Sequence, residues 1–292
     1  MPFDASRVEL PGSSLLVTTA RHPSAAMLNE ARYVSHRLAA PLLPRGDLSI
    51  AKLLDSVGVE HGYVVARENG GTAVRHELVR RTSDRRLFVH PRQWRLAQAA
   101  GFREAPLARA LWPVGDVCEP RHIIDATAGL GGTALRIAHT FGCRVTAVEV
   151  SAPLACLLEH GMRSLASQAK PWAPAARRVD VVHDDAAAFL AAAAAAGEPS
   201  ALPDAVYLNP CMDVRRKDEE DAFLQEVARC SPISAECLES ALTAATRRVV
   251  LRLPAAVSDP RTLLGSIAEP IDCVEGKQST FWVFDARDHL RR

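Results

Sequence analysis

From residue 121 onward, short apolar runs alternate with segments whose apolar residues recur at helical spacing. The apolar runs have the length and composition of buried strands, and most are followed by a helical segment. In chain order these segments read HIIDATAG with its helix, CRVTAVEVS with PLACLLEHGMRSLA, RVDVVHDDAAAFLAAAAAA, DAVYLNP, ECLESALTAATRRVVLRLPAAV and TFWVFDA. This alternation predicts a doubly wound, parallel, Rossmann-like α/β sheet over residues 121–292.

The first 120 residues show a different pattern. They contain the strand-like SLLVTT, the helical AAMLNEARYVSHRLAA and LSIAKLLDSVGV, and GYVVARENGGTAVRHELV, in which Asn69-Gly70-Gly71 predicts a hairpin turn. These features predict a smaller N-terminal α/β domain over residues 1–83. The stretch that follows is rich in arginine and helical in period, and it predicts a basic connector over residues 84–120.

Composition and charge narrow the class of protein. The chain has 292 residues, of which 48% are hydrophobic, and its 35 basic and 34 acidic residues give no global positive field, so that nucleic-acid binding requires a local patch. Seven cysteines without a Cys-x-x-Cys pair indicate a reducing compartment, and we expect a cytoplasmic protein. The arginine-rich first 45 residues leave a mitochondrial presequence open as an alternative.

A glycine-rich turn follows the first strand of the predicted sheet. Gly129, Gly131 and Gly132, with Ala134, satisfy the pattern G-x-G-x-x-A, which also occurs in nicotinamide dinucleotide sites. The same glycines also suit a tight turn with close helix packing, so the turn alone does not identify a ligand.

Acidic residues end three successive predicted strands. Asp125 lies four residues before the first glycine, where a carboxylate suits a cationic amino-acid group and repels a pyrophosphate. Glu149 ends the second strand at the spacing of a ribose-binding acid, and Asp184 and Asp185 end the third, beside an adenine position. Together these acids predict a pocket for S-adenosylmethionine and argue against a dehydrogenase.

The fourth strand, AVYLNPCM, ends at Asn209 and Pro210. The Asn209 side-chain carbonyl and the Pro210 backbone carbonyl can accept hydrogen bonds from the exocyclic amine of a base and aim its nitrogen at a sulfonium methyl group. We therefore predict Asn209 and Pro210 as the catalytic residues. The leaving sulfide is neutral and needs no acid, and we expect no catalytic metal.

The segments DATAGLG, CRVTAVEVS with PLACLLEHG, VYLNP and RRVVLRLP together resemble bacterial S-adenosylmethionine-dependent enzymes that methylate N2 of a guanine in small-subunit ribosomal RNA. The resemblance covers roughly residues 85–285. It implies a class I methyltransferase sheet, an RNA substrate within small-subunit rRNA or a ribosomal particle, and a role in ribosome biogenesis. The cofactor positions that it implies are Gly132, Thr133, Glu149, Val150, Asp185, Ala186 and Asn209, which join Asp125, Gly129 and Gly131 from the pattern above.

The chain departs from that family at two places. Gly132-Thr133 stands where the family usually has Arg-Asp, and Asn209-Pro210-Cys211-Met212 stands where it usually has Asp-Pro-Met-Phe. These departures leave open a catalytically weak ribosome-assembly or RNA-binding factor that retains the fold. The Pro-Cys sequence also leaves open methylation of cytosine C5 through Cys211.

Basic residues near the predicted pocket are candidate phosphate contacts, although a solvated charged face explains them equally well. They are Arg80, Arg81, Arg85, Arg86, Arg92, Arg95, Arg215, Arg216 and Lys217. His90 and His183 are assigned no catalytic role, because lone histidines are more often structural or exposed.

Overall fold

The computed structural model describes residues 15–67, 73–89, 102–113, 115–116, 118–196, 202–210, 219–228, 233–265 and 268–289. Its strands are β1 (Leu15–Thr19), β2 (His61–Arg67), β3 (Val74–Arg80), β4 (Ser83–Leu87), β5 (His122–Asp125), β6 (Arg144–Glu149), β7 (Val179–His183), β8 (Ala205–Leu208), β9 (Arg248–Pro254), β10 (Asp272–Glu275) and β11 (Ser279–Asp285). The α-helices are α1 (Ala25–Leu38), α2 (Ile50–Ser56), α3 (Pro106–Leu111), α4 (Gly132–Phe141), α5 (Ala152–Ser167), α6 (Ala173–Ala176), α7 (Ala186–Ala195), α8 (Glu219–Val227), α9 (Ala235–Ala244), α10 (Arg261–Leu264) and α11 (Ala286–His289), with a 3₁₀ turn at Phe102–Glu104.

The large sheet has the strand order β10-β11-β9-β8-β5-β6-β7. Strands β9, β8, β5, β6 and β7 are parallel, which confirms the predicted Rossmann-like sheet. Neighbouring strand residues alternate between the two faces: Ile123 packs beside α3, α4 and α5, whereas Ile124 packs beside α7 and α9. The sheet therefore lies between two helical layers and buries both of its faces.

The end of this sheet departs from the all-parallel prediction. Strand β11 is antiparallel to β9, and β10, which the sequence pattern did not indicate, is antiparallel to β11. Only residues 276–278 separate β10 from β11. A parallel pairing would require a crossover of about a dozen residues, so this short connection permits only a hairpin.

The N-terminal part forms a four-stranded sheet in the order β1-β2-β3-β4. β1 and β2 are parallel, and β2–β3 is the predicted antiparallel pair, whose proposed turn at Asn69-Gly70-Gly71 lies outside the described residues. Strand β4 contains residue 84, the predicted start of the connector, because Leu87 pairs with Leu78 of β3 and extends the sheet. The arginine-rich segment considered as a presequence contributes β1 and α1 to this fold.

The small sheet shares its core with the large domain. One face packs against α2 through Leu53 and Leu54. The other face packs against α1 and also against Leu154 and Leu157 of α5, the helix that follows β6. The N-terminal sheet is therefore held against the large domain by a common apolar cluster. Within the described part of the chain, no helix is both long and apolar enough to cross a bilayer.

A cluster of ionisable side chains lies where the small sheet meets α5. The rings of His76 and His160 stack, with centroids 3.6 Å apart and planes inclined by 10°. An oxygen of Glu30 lies 3.5 Å from Nε2 of His76 and 3.7 Å from Nδ1 of His160, and the Tyr63 hydroxyl lies 2.9 Å from Nδ1 of His76. Because the ring planes are nearly parallel, one cation cannot lie in both planes, where the nitrogen lone pairs point. We therefore interpret the cluster as a contact that joins the small sheet to α5. Burial lowers the pKa of His76 to about 2, so this ring is neutral.

Candidate functional site

The polar residues that end the parallel strands line up along one edge of the large sheet. Strand β5 has β8 on one side and β6 on the other, so the chain reverses its strand order at β5. Ligands of open α/β sheets bind outside the carboxyl ends of the strands at such a reversal. Asn209, Asp125, Glu149 and Asp184 end or directly follow β8, β5, β6 and β7, so the strand order brings the predicted site residues to adjacent strands.

The glycine turn has a structural requirement at Gly131. This residue adopts φ +76°, and a Cβ there would lie 2.3 Å from Leu158 Cδ1 and 2.7 Å from Met162 Cε. Gly129 adopts φ +56°, but a Cβ there would meet no atom within 4 Å. Gly131 therefore lets the start of α4 approach α5, as the structural interpretation of the motif anticipated, whereas Gly129 faces open space.

Glu149 is hydrogen-bonded to the backbone of the glycine turn. Its carboxylate accepts a hydrogen bond from the Gly129 backbone N–H at 2.8 Å and one from the Ser151 N–H at 2.8 Å. Burial raises the pKa of Glu149, and these two backbone donors oppose that increase. A carboxylate has about four acceptor positions, so Glu149 retains capacity for a ligand hydroxyl while it fixes the loop.

Asp125 is buried at the carboxyl end of β5, with 1% of its surface exposed. One oxygen accepts a weak hydrogen bond from the Thr127 N–H at 3.4 Å, and the other, Oδ2, has no hydrogen-bond partner among the described residues. Burial, with a smaller contribution from the neighbouring Glu149 charge, raises the pKa of Asp125 to about 7. An unpartnered buried carboxylate is costly, so this position favours a cationic donor.

The third strand end is more exposed than the first two. Asp184 and Asp185 are both exposed, and Asp185 caps α7 by accepting hydrogen bonds from the Ala187 and Ala188 N–H groups at 3.0 and 3.1 Å. Val150, after Glu149, is 46% exposed although it is apolar. The apolar Val150 side chain and the polar Asp184 and Asp185 side chains therefore suit an adenine ring. Their contacts with a ligand remain predictions.

Asn209 is held by residues that the sequence analysis did not identify. Its backbone N–H donates to the Thr127 hydroxyl at 2.7 Å, and its side-chain oxygen accepts from Arg252 Nη1 at 3.5 Å. Thr127 lies in DATAGLG and Arg252 in RRVVLRLP. A polar residue inside each of these motifs is the sequence feature that could have identified them. Pro210 follows and is buried. The catalytic assignment of Asn209 and Pro210 stays a prediction.

The described candidate phosphate contacts are largely engaged within the protein. Arg80 pairs with Glu60 and Glu226, and Arg81 pairs with Glu60 and Asp55. Arg86 pairs with the buried Glu77. These arginines therefore already have carboxylate partners within the protein.

Several predicted residues cannot be placed at the site. His183, which received no catalytic role, is exposed at the end of β7. The remaining residues lie outside the described part of the chain: His90, Arg92, Arg95, Cys211, Met212, Arg215, Arg216 and Lys217.

Comparison with known proteins gives a family match over most of the chain. Residues 85–285 match the family described as "Putative SAM-dependent methyltransferase", where SAM is S-adenosylmethionine. A protein named "Ribosomal RNA small subunit methyltransferase J" from Rhodopseudomonas palustris (strain BisB5) is 31% identical over 169 residues, which cover 56% of this chain and 71% of the relative. A protein of the same name from Alteromonas mediterranea is 30% identical and covers 68% of this chain and 72% of its own length.

A solved structure supports the fold. The crystal structure of a SAM-dependent methyltransferase from Neisseria gonorrhoeae superposes with a TM-score of 0.61 and covers 92% of this chain and 95% of that protein. Its sequence is 20% identical, so the likeness concerns the architecture alone.

Proposed function

The chain belongs to the SAM-dependent methyltransferase family and is related to the ribosomal RNA small subunit methyltransferase J proteins, and we propose that it transfers a methyl group from S-adenosylmethionine to N2 of a guanine in small-subunit rRNA. The name of these relatives supports ribosomal RNA as the substrate class. The guanine N2 position is what the resemblance of the motifs implies.

The residues at the strand ends fit this cofactor. Asp125 offers an unpartnered buried carboxylate to the cofactor's ammonium group. Glu149 has acceptor capacity beyond its two backbone hydrogen bonds, which suits the ribose hydroxyls. Because Gly132-Thr133 replaces the Arg-Asp pair of the family, two charged side chains are absent after the glycines. The backbone turn and the acids Asp125 and Glu149 remain.

The role of the protein's own residues in the reaction is to orient the target amine. S-adenosylmethionine supplies an electrophilic methyl group when it is bound. Asn209 Oδ1 and the Pro210 carbonyl accept hydrogen bonds from the base amine, which turns the nitrogen lone pair toward the methyl group. Extraction of the base from its stack is required before this contact forms, so the site acts on an unpaired or flipped nucleotide.

One observation supports the proposal most strongly: Asn209, Asp125 and Glu149 lie at the ends of the three adjacent strands β8, β5 and β6, where the strand order reverses. The test is incubation of the purified protein with tritium-labelled S-adenosylmethionine and small ribosomal subunits from cells that lack the endogenous methyltransferase J protein. Nucleoside analysis by mass spectrometry identifies the product. We expect N2-methylguanosine; 5-methylcytidine or an unmodified RNA would contradict the proposal.

A further inference from the structure

Asn209 is contacted at its side-chain oxygen by an arginine from the neighbouring strand. We propose that Arg252 is a positioning residue for Asn209, which fixes the orientation of the side-chain amide that receives the target amine. This inference rests on the proposed function and extends it to a residue outside the predicted site.

Arg252 is held in place by strands on both sides of β9. Leu251 pairs with Leu208, the last residue of β8, so Arg252 lies in the carboxyl half of β9 at the level of Asn209. Its Nε donates to the Ser279 hydroxyl at 2.9 Å, on the β11 side, while Nη1 reaches Asn209 Oδ1 at 3.5 Å on the β8 side. The guanidinium therefore links β11 to the residue that ends β8.

The donor-only chemistry of arginine determines which end of the amide faces it. A guanidinium has five N–H donors and no acceptor, so it favours the carbonyl oxygen of Asn209 over the NH₂ group. That oxygen has two lone pairs, of which Arg252 uses one, and the second can accept from the base amine. With the amide reversed, an NH₂ group would face an amine that also donates, and the hydrogen bond would be lost.

The backbone of Asn209 is fixed independently. The Thr127 hydroxyl accepts the Asn209 N–H at 2.7 Å, and Thr127 belongs to the turn that begins at Asp125. One end of Asn209 is thus tied to the cofactor side and the other to Arg252. Such double restraint is what a near-attack geometry requires, because small misplacements lower the rate of transfer strongly.

The test is the substitution Arg252→Met, which keeps much of the side-chain length and removes the donors. We expect kcat to fall about 10-fold with KM for RNA changed less than about twofold, because the Asn209 amide loses the contact that orients it. Arg252→Lys should recover part of the loss. The matched control is Arg248→Met, a partly buried arginine of the same strand that donates to the Ala110 carbonyl at the opposite end; its kcat should stay near the wild-type value.

A double-substitution cycle shows whether Arg252 acts through Asn209. In the Asn209→Ala background, Arg252→Met should cause no further loss of kcat, because the amide to be positioned is already absent. An additive loss would overturn the proposal. So would a raised KM for RNA with unchanged kcat, since that result indicates a direct contact with the phosphate backbone.

A second readout does not depend on turnover. The side-chain NH₂ signals of Asn209, assigned as the pair missing from the ¹⁵N NMR spectrum of Asn209→Ala, should shift in Arg252→Met and stay in place in Arg248→Met. Unchanged signals in Arg252→Met would overturn the positioning role even in an active enzyme. If wild-type protein methylates no RNA but these signals shift, the proposed function fails and the positioning role stands.

Discussion

The two sides of the reversal point use their polar groups differently. On the β5 and β6 side, Asp125 and Glu149 are buried, and Glu149 accepts hydrogen bonds from the Gly129 and Ser151 backbone N–H groups, which lie 20 and 2 residues away in the chain. On the β8 and β9 side, Asn209 is oriented by Thr127 and Arg252, which lie 82 and 43 residues away in the chain. The cofactor side is thus built from contacts close to its motif, whereas the target side depends on the assembled sheet.

This difference suggests separate consequences for substitutions on the two sides. Changes on the cofactor side should affect folding and cofactor affinity. Changes on the target side should lower turnover much more than cofactor affinity. The following substitutions test that separation, beginning with the largest expected effect.

Gly131→Ala should cause the largest loss of stability. The substitution forces a Cβ to within 2.3 Å of Leu158 in a left-handed backbone conformation. We expect the free energy of unfolding to fall by about 3 kcal/mol, from backbone strain and overpacking together. Urea denaturation measures this value. Gly129→Ala is the matched control, since its Cβ meets no atom within 4 Å, and it should cost about 1 kcal/mol; equal losses would show that the contact with α5 is unimportant.

Asn209→Ala should separate turnover from cofactor binding. Loss of the oriented acceptor should lower kcat about 100-fold. The dissociation constant for S-adenosylmethionine, measured by calorimetry, should change far less than kcat, because Asn209 is one of several implied cofactor positions and the acids Asp125 and Glu149 remain. Retained kcat would remove Asn209 from the mechanism, and a large loss of cofactor affinity would show that the two sides are not separable.

Glu149→Gln should weaken the glycine turn. The carboxylate accepts from two backbone N–H groups, but an amide has one oxygen and would direct its NH₂ group at one of those donors. The free energy of unfolding should fall by about 2 kcal/mol. Asp184→Asn, an exposed residue at the next strand end, should change it by about 0.5 kcal/mol or less; a similar loss in both variants would contradict the special role of Glu149.

The sequence indicated the cofactor side more completely than the target side. A strand followed by a glycine turn is a local pattern, so the α/β sheet and the places of Asp125 and Glu149 at strand ends could be predicted from it. The contacts of Arg252 with Asn209 and Ser279 cross three strands. They depend on the antiparallel pairing of β11 with β9, which periodicity alone does not show. The packing of Leu154 and Leu157 against the small sheet was also not predicted, because it joins segments that are far apart in the chain.

The most direct test of the account is calorimetric titration with S-adenosylmethionine across pH 6 to 8, for the wild-type protein and for Asp125→Asn. Burial raises the Asp125 pKa from 3.8 to about 7 in the free protein, so its carboxyl holds a proton below about pH 7. Because the unfolded chain releases this proton at a lower pH, the free energy of unfolding should fall as pH rises from 3.8 through about 7. The cofactor ammonium requires the ionised form, so wild-type affinity should rise with pH by up to about tenfold per unit below pH 7.

In Asp125→Asn the affinity should be weaker and should lack this increase, which leaves only the titration of the cofactor's own amine. A wild-type affinity that does not depend on pH, or an Asp125→Asn protein that binds as the wild type does, would contradict the assignment of Asp125 to the cofactor.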